Sequence, residues 1–258
     1  MAPRDRTYQL LLGVAVLAAW EYWGRRADDF VFAPPSSLLP AAREMISSGE
    51  LPHALADSLV ALVIGFTLAA VSGTAIGLAM GWSRRFGRTL DPYVSALYVV
   101  PIASLVPAII VWFGLDLAAR VIVIFLFAVF EILLSAQAGV RNVDPSFVDV
   151  ARTFGAPRRD VLRKVVLPAS LPFVFVGLRM GASRAVKGMV LAEMLFAVTG
   201  LGGLIVEDST RFRIDRVLVV VLTLALIGVA LGAAVQALER RVLRWRPQLE
   251  PRGGGRTT

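Results

Sequence analysis

The sequence contains no cysteine, one histidine (His53) and only two lysines, Lys164 and Lys187. Without cysteine the chain can form neither disulfides nor thiolate sites, and a single histidine excludes a histidine-based metal cluster. Neither lysine follows the glycine spacing of a phosphate-binding loop, so the chain cannot hydrolyse ATP alone. These absences predict a chain with no catalytic residue, no metal site and no cofactor of its own.

Apolar residues, by contrast, are abundant: they make up 57% of the 258 residues, and the mean hydropathy is +0.70. A soluble protein of this length has no core large enough for so much apolar surface, whereas lipid solvates it directly. The sequence therefore predicts an all-α membrane protein with about six transmembrane helices, each of roughly 20 residues. The candidate spans are residues 8–23, 58–80, 93–113, 118–138, 171–198 and 217–238.

The first span could instead be a cleaved signal peptide, because its apolar run is short and follows the basic residues Arg4 and Arg6. The residues after it, Glu21-Tyr22-Trp23 and then an arginine pair, do not resemble a small-residue cleavage site. We therefore favour a retained helix.

The net charge of +8 raises the question of nucleic-acid binding, but the arginines lie in short segments beside the apolar spans. With both termini inside, 17 lysines and arginines fall in cytoplasmic segments and seven in external ones. This bias is the positive-inside pattern of a multi-pass membrane protein. It predicts cytoplasmic termini and a lipid bilayer, rather than a nucleic acid, as the surroundings of the chain.

Small residues and prolines mark two of the spans. Gly65, Ala69, Gly73, Gly77 and Gly81 follow one another at intervals of four in span two, so they share one side of a helix. Such a stripe lets a second helix approach closely in lipid. In span three, the prolines at 101 and 107 are expected to interrupt the helix, and broken helices at membrane depth usually line a cavity.

A charged loop, residues 144–168, separates spans four and five. Asp144-Pro145 is a strong helix start. Phe147, Val150, Ala151 and Phe154 then form an apolar stripe at helical spacing, and glycine at 155 suits the position just past a helix end. The next residues, Ala156-Pro157, start a second helical stretch, which we expect Leu167-Pro168 to close. The loop thus presents an apolar face that needs a partner, although a solvated amphipathic linker is the alternative.

This loop resembles the EAA loop of ATP-binding-cassette importer permeases, which reads Glu-Ala-Ala, three residues, Gly, nine residues, Ile, one residue, Leu-Pro. The chain has Asp149-Val150-Ala151, Gly155, Val165 and Leu167-Pro168 at the same spacings. The stretches VFAPPSSLLP, WFGLDLAARV, GLRMGASRA, VLAEMLFAVTGLGGLI and LERRVLRW extend the resemblance over about residues 30 to 246, to the subfamily that imports nitrate, sulfonates and taurine.

The resemblance implies a type I importer permease in a prokaryotic inner membrane. It implies a homodimer of permeases, two cytoplasmic ATP-binding subunits that hold ATP and Mg, and an extracytoplasmic solute-binding protein. Residues 58–240 would form the core, after an N-terminal helix and external segment (1–57) and before a basic tail (241–258). In the coupling helix that meets the ATPase, the implied contact residues are Asp149, Val150, Ala151, Phe154, Gly155, Pro157, Leu167 and Pro168.

Span five carries charge inside the membrane. Arg184 and Lys187 lie near its middle and share a helix face, and charges at that depth normally face a bundle interior or a water-filled cavity. Two cations could attract a small anion, so we predict a solute path that includes Arg184, Lys187, Glu193 and Glu131. The alternative is an internal ion pair, for which Glu131 is the better placed of the two carboxylates.

Two other classes of protein remain as alternatives. A secondary transporter would move its solute without ATPase partners. An intramembrane enzyme would need paired aspartates, a His-Glu-x-x-His run or a Ser-His pair, and the sequence has none of these.

The charge bias makes a first testable prediction. Reporter fusions after residue 240 should give a cytoplasmic signal, and fusions near His53 an external one, because lysine and arginine are retained inside. A cytoplasmic signal at His53 or an external signal from the tail would overturn this topology.

Overall fold

The computed structural model describes residues 3–26, 32–196 and 199–244, and within these ranges it contains helices and no strand. The end of the fifth candidate span (197–198), part of the external segment (27–31) and most of the basic tail (245–258) lie outside the described residues. The helices are α1 (Pro3–Gly24), α2 (Pro35–Ser47), α3 (Glu50–Trp82), α4 (Arg84–Val99), α5 (Ile102–Phe113), α6 (Leu117–Arg141), α7 (Pro145–Thr153), α8 (Arg158–Val161), α9 (Leu167–Phe196), α10 (Gly200–Thr210) and α11 (Ile214–Val242).

Within the described ranges, four helical segments are long and apolar enough to cross a membrane: α3, α6, the continuous helix Arg158–Phe196 and α11. Helices α4 and α5 pass the same test together but are bent by 93°, as a broken span or a re-entrant loop. The apolar part of α1 is shorter and covers Leu11–Gly24. The all-α class is thus confirmed, and the number of spans agrees roughly with the six predicted.

The small-residue stripe of α3 packs against α6. A Cβ atom added at Gly77 would lie 2.3 Å from the carbonyl oxygen of Leu133, and one at Gly65 would lie 2.7 Å from the side chain of Ile124. Side chains do not fit at such distances, so the two backbones are in direct contact. Helix α6 meets α9 equally closely, since a Cβ at Gly181 would lie 2.6 Å from the Ile132 side chain. Helix α6 is therefore the centre of the bundle.

The broken span differs from the prediction in one respect. The chain leaves the helix at Val100 and Pro101, as expected, but Pro107 lies inside α5 without ending it. Pro101 is the N-cap of α5, just before the first turn, whose amide groups lack intrahelical acceptors in any helix. Pro107 removes only one bond from a helix that continues on both sides, and the side chain is exposed.

The prediction that Leu167-Pro168 closes a helix is wrong. The chain is helical from Arg158 to Phe196, and a π-helical turn (Leu162–Val166) links α8 to α9. In that turn the N–H of Leu167 donates to the carbonyl of Leu162. Proline has no backbone N–H to donate to the preceding turn. The wider turn immediately before Pro168 lets the helix continue through this position instead of ending there.

The contact of α3 with α6 can be tested with an alanine pair. Gly77→Ala should destabilise the purified protein by about 1–3 kcal/mol, because the new methyl group has no space against the α6 backbone. Gly228→Ala in α11 is the matched control: nothing lies within 4 Å of its added Cβ, so it should be neutral or slightly stabilising. Thermal unfolding in detergent measures both, and equal stability of the two variants would contradict the close packing.

Candidate functional site

The charged loop forms a short helix with defined ends. The Asp144 carboxylate accepts a hydrogen bond from the backbone N–H of Ser146 (2.8 Å), and this bond lowers the pKa of Asp144. Helix α7 ends at Thr153, and Gly155 follows with φ +76°, a left-handed conformation that favours glycine. The predicted helix start and glycine turn are therefore confirmed. The i, i+4 pair of Asp160 and Lys164 is also present, at 2.9 Å.

The two faces of α7 have different surroundings. Val148 and Ala151 pack, with Ala156, against a buried cluster of Val140, Val161 and Val166 from the ends of neighbouring helices. Within the described residues, nothing packs over the other face of α7. Its apolar side chains are Phe147, Val150 and Phe154, which are 59%, 57% and 87% exposed.

The residues predicted from the loop pattern thus separate into two groups. Asp149, Val150, Phe154, Gly155 and Pro157 are exposed around α7. Ala151, Leu167 and Pro168 are partly buried and contribute to the attachment of the loop to the bundle. The sequence stripe did not distinguish these groups, because Ala151 has the same helical spacing as its exposed neighbours but lies on the packed side.

A cavity of about 410 Å³ lies beside the break between α4 and α5. Its apolar walls come from α6 and from Val100–Pro101, and its polar lining consists of Tyr98, Glu131 and Arg184. The guanidinium of Arg184 donates to the Glu131 carboxylate at 3.0 Å, and the Tyr98 hydroxyl lies 3.5 Å from the same oxygen. The half-exposed cation thus borders an apolar chamber next to the first turn of α5.

The two other polar residues that line this cavity with Arg184 could not be predicted equally well from the sequence. Glu131 was expected as a possible partner of a span-five cation, and it pairs with Arg184 rather than with Lys187. Tyr98 was missed; the nearby proline break was its only signal. Lys187 is exposed and does not line the cavity, although it lies three residues after Arg184 on the same helix.

Glu193 lies elsewhere, in a buried polar cluster formed with Ser58, Arg120 and the start of α10. Its carboxylate accepts hydrogen bonds from the Ser58 hydroxyl (2.8 Å) and the Gly202 N–H (3.0 Å), and one Arg120 nitrogen is 3.7 Å away. The Ser58 hydroxyl in turn accepts from the N–H of Leu201 (2.9 Å). The cluster joins α3, α6 and α9 to α10.

A larger cavity of about 650 Å³ opens between the start of α3 and α10. Glu50, His53, Asp57 and Glu207 line it, so its rim is acidic. Beneath it, Asp208 is almost fully buried and lies 3.1 Å from the Arg216 guanidinium. Burial raises the pKa of Asp208, and the charge of Arg216 opposes that shift.

Among the residues that the structure describes, no group of three histidine, cysteine, aspartate or glutamate side chains could hold a metal ion. The polar clusters are carboxylate–guanidinium pairs. They can attract or release ions and hold helices together, as the hydrogen bond of the Ser58 hydroxyl to Glu193 also does.

Comparison with known proteins identifies the family. Residues 51–244 match the model of the "binding-protein-dependent transport system inner membrane component" family. The chain belongs to this family. As a family member it is an inner-membrane, non-catalytic permease component of an ABC transporter.

Two curated relatives cover nearly the whole chain. The putative aliphatic sulfonates transport permease protein SsuC of Bacillus subtilis is 32% identical over 243 residues, which are 93% of this chain and 88% of the relative. The taurine transport system permease protein TauC of Escherichia coli is 28% identical over 257 residues, 96% of this chain and 94% of the relative.

Solved structures support the same fold. The chain aligns with an amino acid ABC transporter at a TM-score of 0.63 and 17% identity, over 77% of this chain and 97% of that one. It aligns with the MetNI methionine ABC transporter, described in inward-facing conformations, at a TM-score of 0.61 and 16% identity, over 72% and 93% of the two chains. These permeases share the architecture of the chain.

Proposed function

We propose that this chain is the transmembrane subunit of an ATP-driven importer of a small anion such as a sulfonate, taurine or nitrate. It works as a homodimer with two ATP-binding subunits, which hold ATP and Mg, and an external solute-binding protein. The observation that carries the proposal is the uncovered apolar face of α7, at the positions that match the EAA pattern. The complex lies in a prokaryotic inner membrane with both termini of the permease in the cytoplasm.

The α7 face has the chemistry of a docking surface. Phe147, Val150 and Phe154 present apolar area to water around Asp149, and aromatic side chains that insert into a partner pocket carry much of the energy of such interfaces. The packed side of α7 transmits force, because Val148 is anchored on the buried cluster between α6 and α8. Movement of a docked ATPase is thereby passed to the spanning helices.

The homodimer accounts for the exposed charges of α9. In one copy of the chain, half of the Arg184 side chain is uncovered and the neighbouring Lys187 is exposed, at the depth of the apolar spans. Charges left in lipid are costly, whereas a water-filled path between two permeases solvates them. This arrangement supports a path along α9 with Arg184, Glu131 and Lys187 on its wall.

The cavity beside the broken span suits an anion. It combines the Arg184 cation with the start of α5, where free backbone amides and the positive end of the helix dipole are found. Between transport events, Glu131 pairs with the guanidinium of Arg184. This competition keeps the affinity for the anion low, so that a bound anion is released. Glu193 contributes at the outer end of the path, where its carboxylate fixes α10.

The external surface supports the partnership with a binding protein. Helix α10 and the start of α3 frame a polar cavity with Glu50, Asp57 and Glu207 on its rim. Because carboxylates repel an anion, we assign this rim to contact with the binding protein. The solute path runs inward along α9 from the level of the Glu193 cluster.

Coupling can be tested with two matched truncations. Phe154→Ala should weaken association with the ATP-binding subunit about tenfold or more, as expected for an aromatic anchor, and should lower uptake. Phe86→Ala removes an equally large, exposed side chain of α4 and should leave association unchanged.

Gly155→Asp and Asp149→Lys should also uncouple transport while the permease remains inserted. Wild-type association and uptake in the α7 variants would refute the assignment.

The solute path can be tested with taurine and nitrate at a saturating amount of loaded binding protein. Arg184→Gln and Lys187→Met should each reduce uptake about tenfold, because each removes one cation that attracts the anion along the path, and tenfold corresponds to about 1.4 kcal/mol. Arg179→Gln, the same charge change nearer the cytoplasmic end of α9, should have a smaller effect.

Assembly must be separated from transport in this test. Arg184→Gln leaves the Glu131 carboxylate without its cation, and the double variant with Glu131→Gln removes that unpaired charge. The double variant should assemble normally and still transport slowly. Normal transport by the double variant would show that the pair serves only folding, and normal transport by Lys187→Met would remove Lys187 from the path.

A further inference from the structure

A third cavity, of about 390 Å³, lies at the cytoplasmic end of the bundle. Three arginines line it, together with Met80 and Gly81 at the end of α3: Arg84, Arg88 and Arg141. Arg141 is the last residue of α6, and α7 begins four residues later. The cavity therefore lies at the same end of the bundle as the coupling loop, and none of its residues belongs to that loop or to the solute path.

The charges around this cavity do not cancel. Asp91 accepts a hydrogen bond from Arg141 (2.8 Å) and another from Gln137 (2.7 Å). Among the described residues, Arg84 and Arg88 have no carboxylate within 4.0 Å. The ends of α3 and α6 each add about −0.5 charge and the start of α4 about +0.5, so that three guanidinium groups and one carboxylate leave a net charge of about +1.5.

The geometry of α4 holds these arginines in place. Ser83 caps the helix by accepting a hydrogen bond from the N–H of Phe86, and the two free arginines are four residues apart, on one face. At Gly87 an added Cβ would lie 2.5 Å from the Met80 carbonyl oxygen, so α4 crosses the end of α3 at backbone contact. The cavity is therefore built from packed helix ends rather than from a loose surface.

We propose that this cavity binds a phosphate group, either the head-group phosphate of an anionic phospholipid or a free phosphate. Planar guanidinium groups donate paired hydrogen bonds to phosphate oxygens, which makes arginine the preferred residue for such sites. Basic pockets between spanning helices on the cytoplasmic side are suited to anionic lipid head groups. The half-buried Trp82 and the exposed Phe86 flank the site, as aromatic side chains do at the membrane–water boundary.

The bound phosphate stabilises the junction of α3, α4 and α6. It neutralises Arg84 and Arg88, which otherwise repel each other and Arg141. Trp82 follows Gly81 of the cavity lining, and the guanidinium of Arg158, at the start of α8, lies 5.9 Å from the centre of its ring, so the charged loop reaches the end of α3 beside the site. The anion thus acts as a structural ligand of the cytoplasmic end, separate from the transported solute.

The test uses the full-length permease and two probes: phosphatidylglycerol, with phosphatidylcholine as the neutral reference, and inorganic phosphate. Native mass spectrometry after delipidation counts retained lipid, and calorimetry in detergent measures phosphate binding. The double variant Arg84→Gln/Arg88→Gln should weaken binding of one probe about tenfold or more. The control Arg85→Gln/Arg240→Gln removes the same charge from exposed arginines that do not line the cavity and should bind as the wild type does.

Each outcome decides the proposal. Loss of phosphatidylglycerol from the cavity variant alone identifies a lipid site, and loss of inorganic phosphate binding alone identifies a soluble ligand. Arg84→Lys/Arg88→Lys, which keeps the charge, should retain part of the binding, and this outcome guards against simple misfolding of the glutamine variant. Equal losses in the control, no binding of either probe, or an effect seen only when the ATP-binding subunit is present would overturn the proposal.

Discussion

The close approach of α3 and α6 is the contact on which the rest of the bundle depends. Lipid provides no hydrophobic force between helices, so their association rests on backbone proximity, and the glycines of α3 make that proximity possible. Because both α3 and α9 pack closely against α6, it carries buried residues along its whole length. The cavity near Glu131 and the anchor of the charged loop are both built on this central helix.

Polar groups inside the bundle are used for different purposes at different depths. Where α9 meets α10, Glu193 is fully enclosed and its hydrogen bonds fix α10, an arrangement suited to a permanent joint. At the broken span, Glu131 meets a half-exposed arginine, an arrangement that another anion can disturb. Burial and the number of fixed partners separate these roles, although both residues are carboxylates within apolar spans.

Much of the architecture could be predicted from the sequence, since hydropathy runs, the four-residue glycine interval and the Asp144-Pro145 start report local physics. The predictions that were wrong or missing concern features that depend on surroundings which no local sequence pattern reports. Pro168 looked like a helix end, because a π turn that absorbs a proline has no recognisable sequence pattern. Helices α2 and α10 were not predicted, because they are too short or too mixed in polarity to resemble spans. The Glu193 cluster joins residues 135 and 143 positions apart, and no local pattern reports such a contact.

The unbroken helix from Arg158 to Phe196 gives the molecule a lever arm. Its 39 residues correspond to about 58 Å at 1.5 Å per residue, and the π turn and Pro172 both lie in the half nearer the charged loop. When this helix tilts as one body by about 5°, its far end moves by about 5 Å, roughly one helical turn. Since Glu193 lies three residues from that far end and holds α10, a small angular change at the charged loop becomes a displacement of about 5 Å where α9 meets α10.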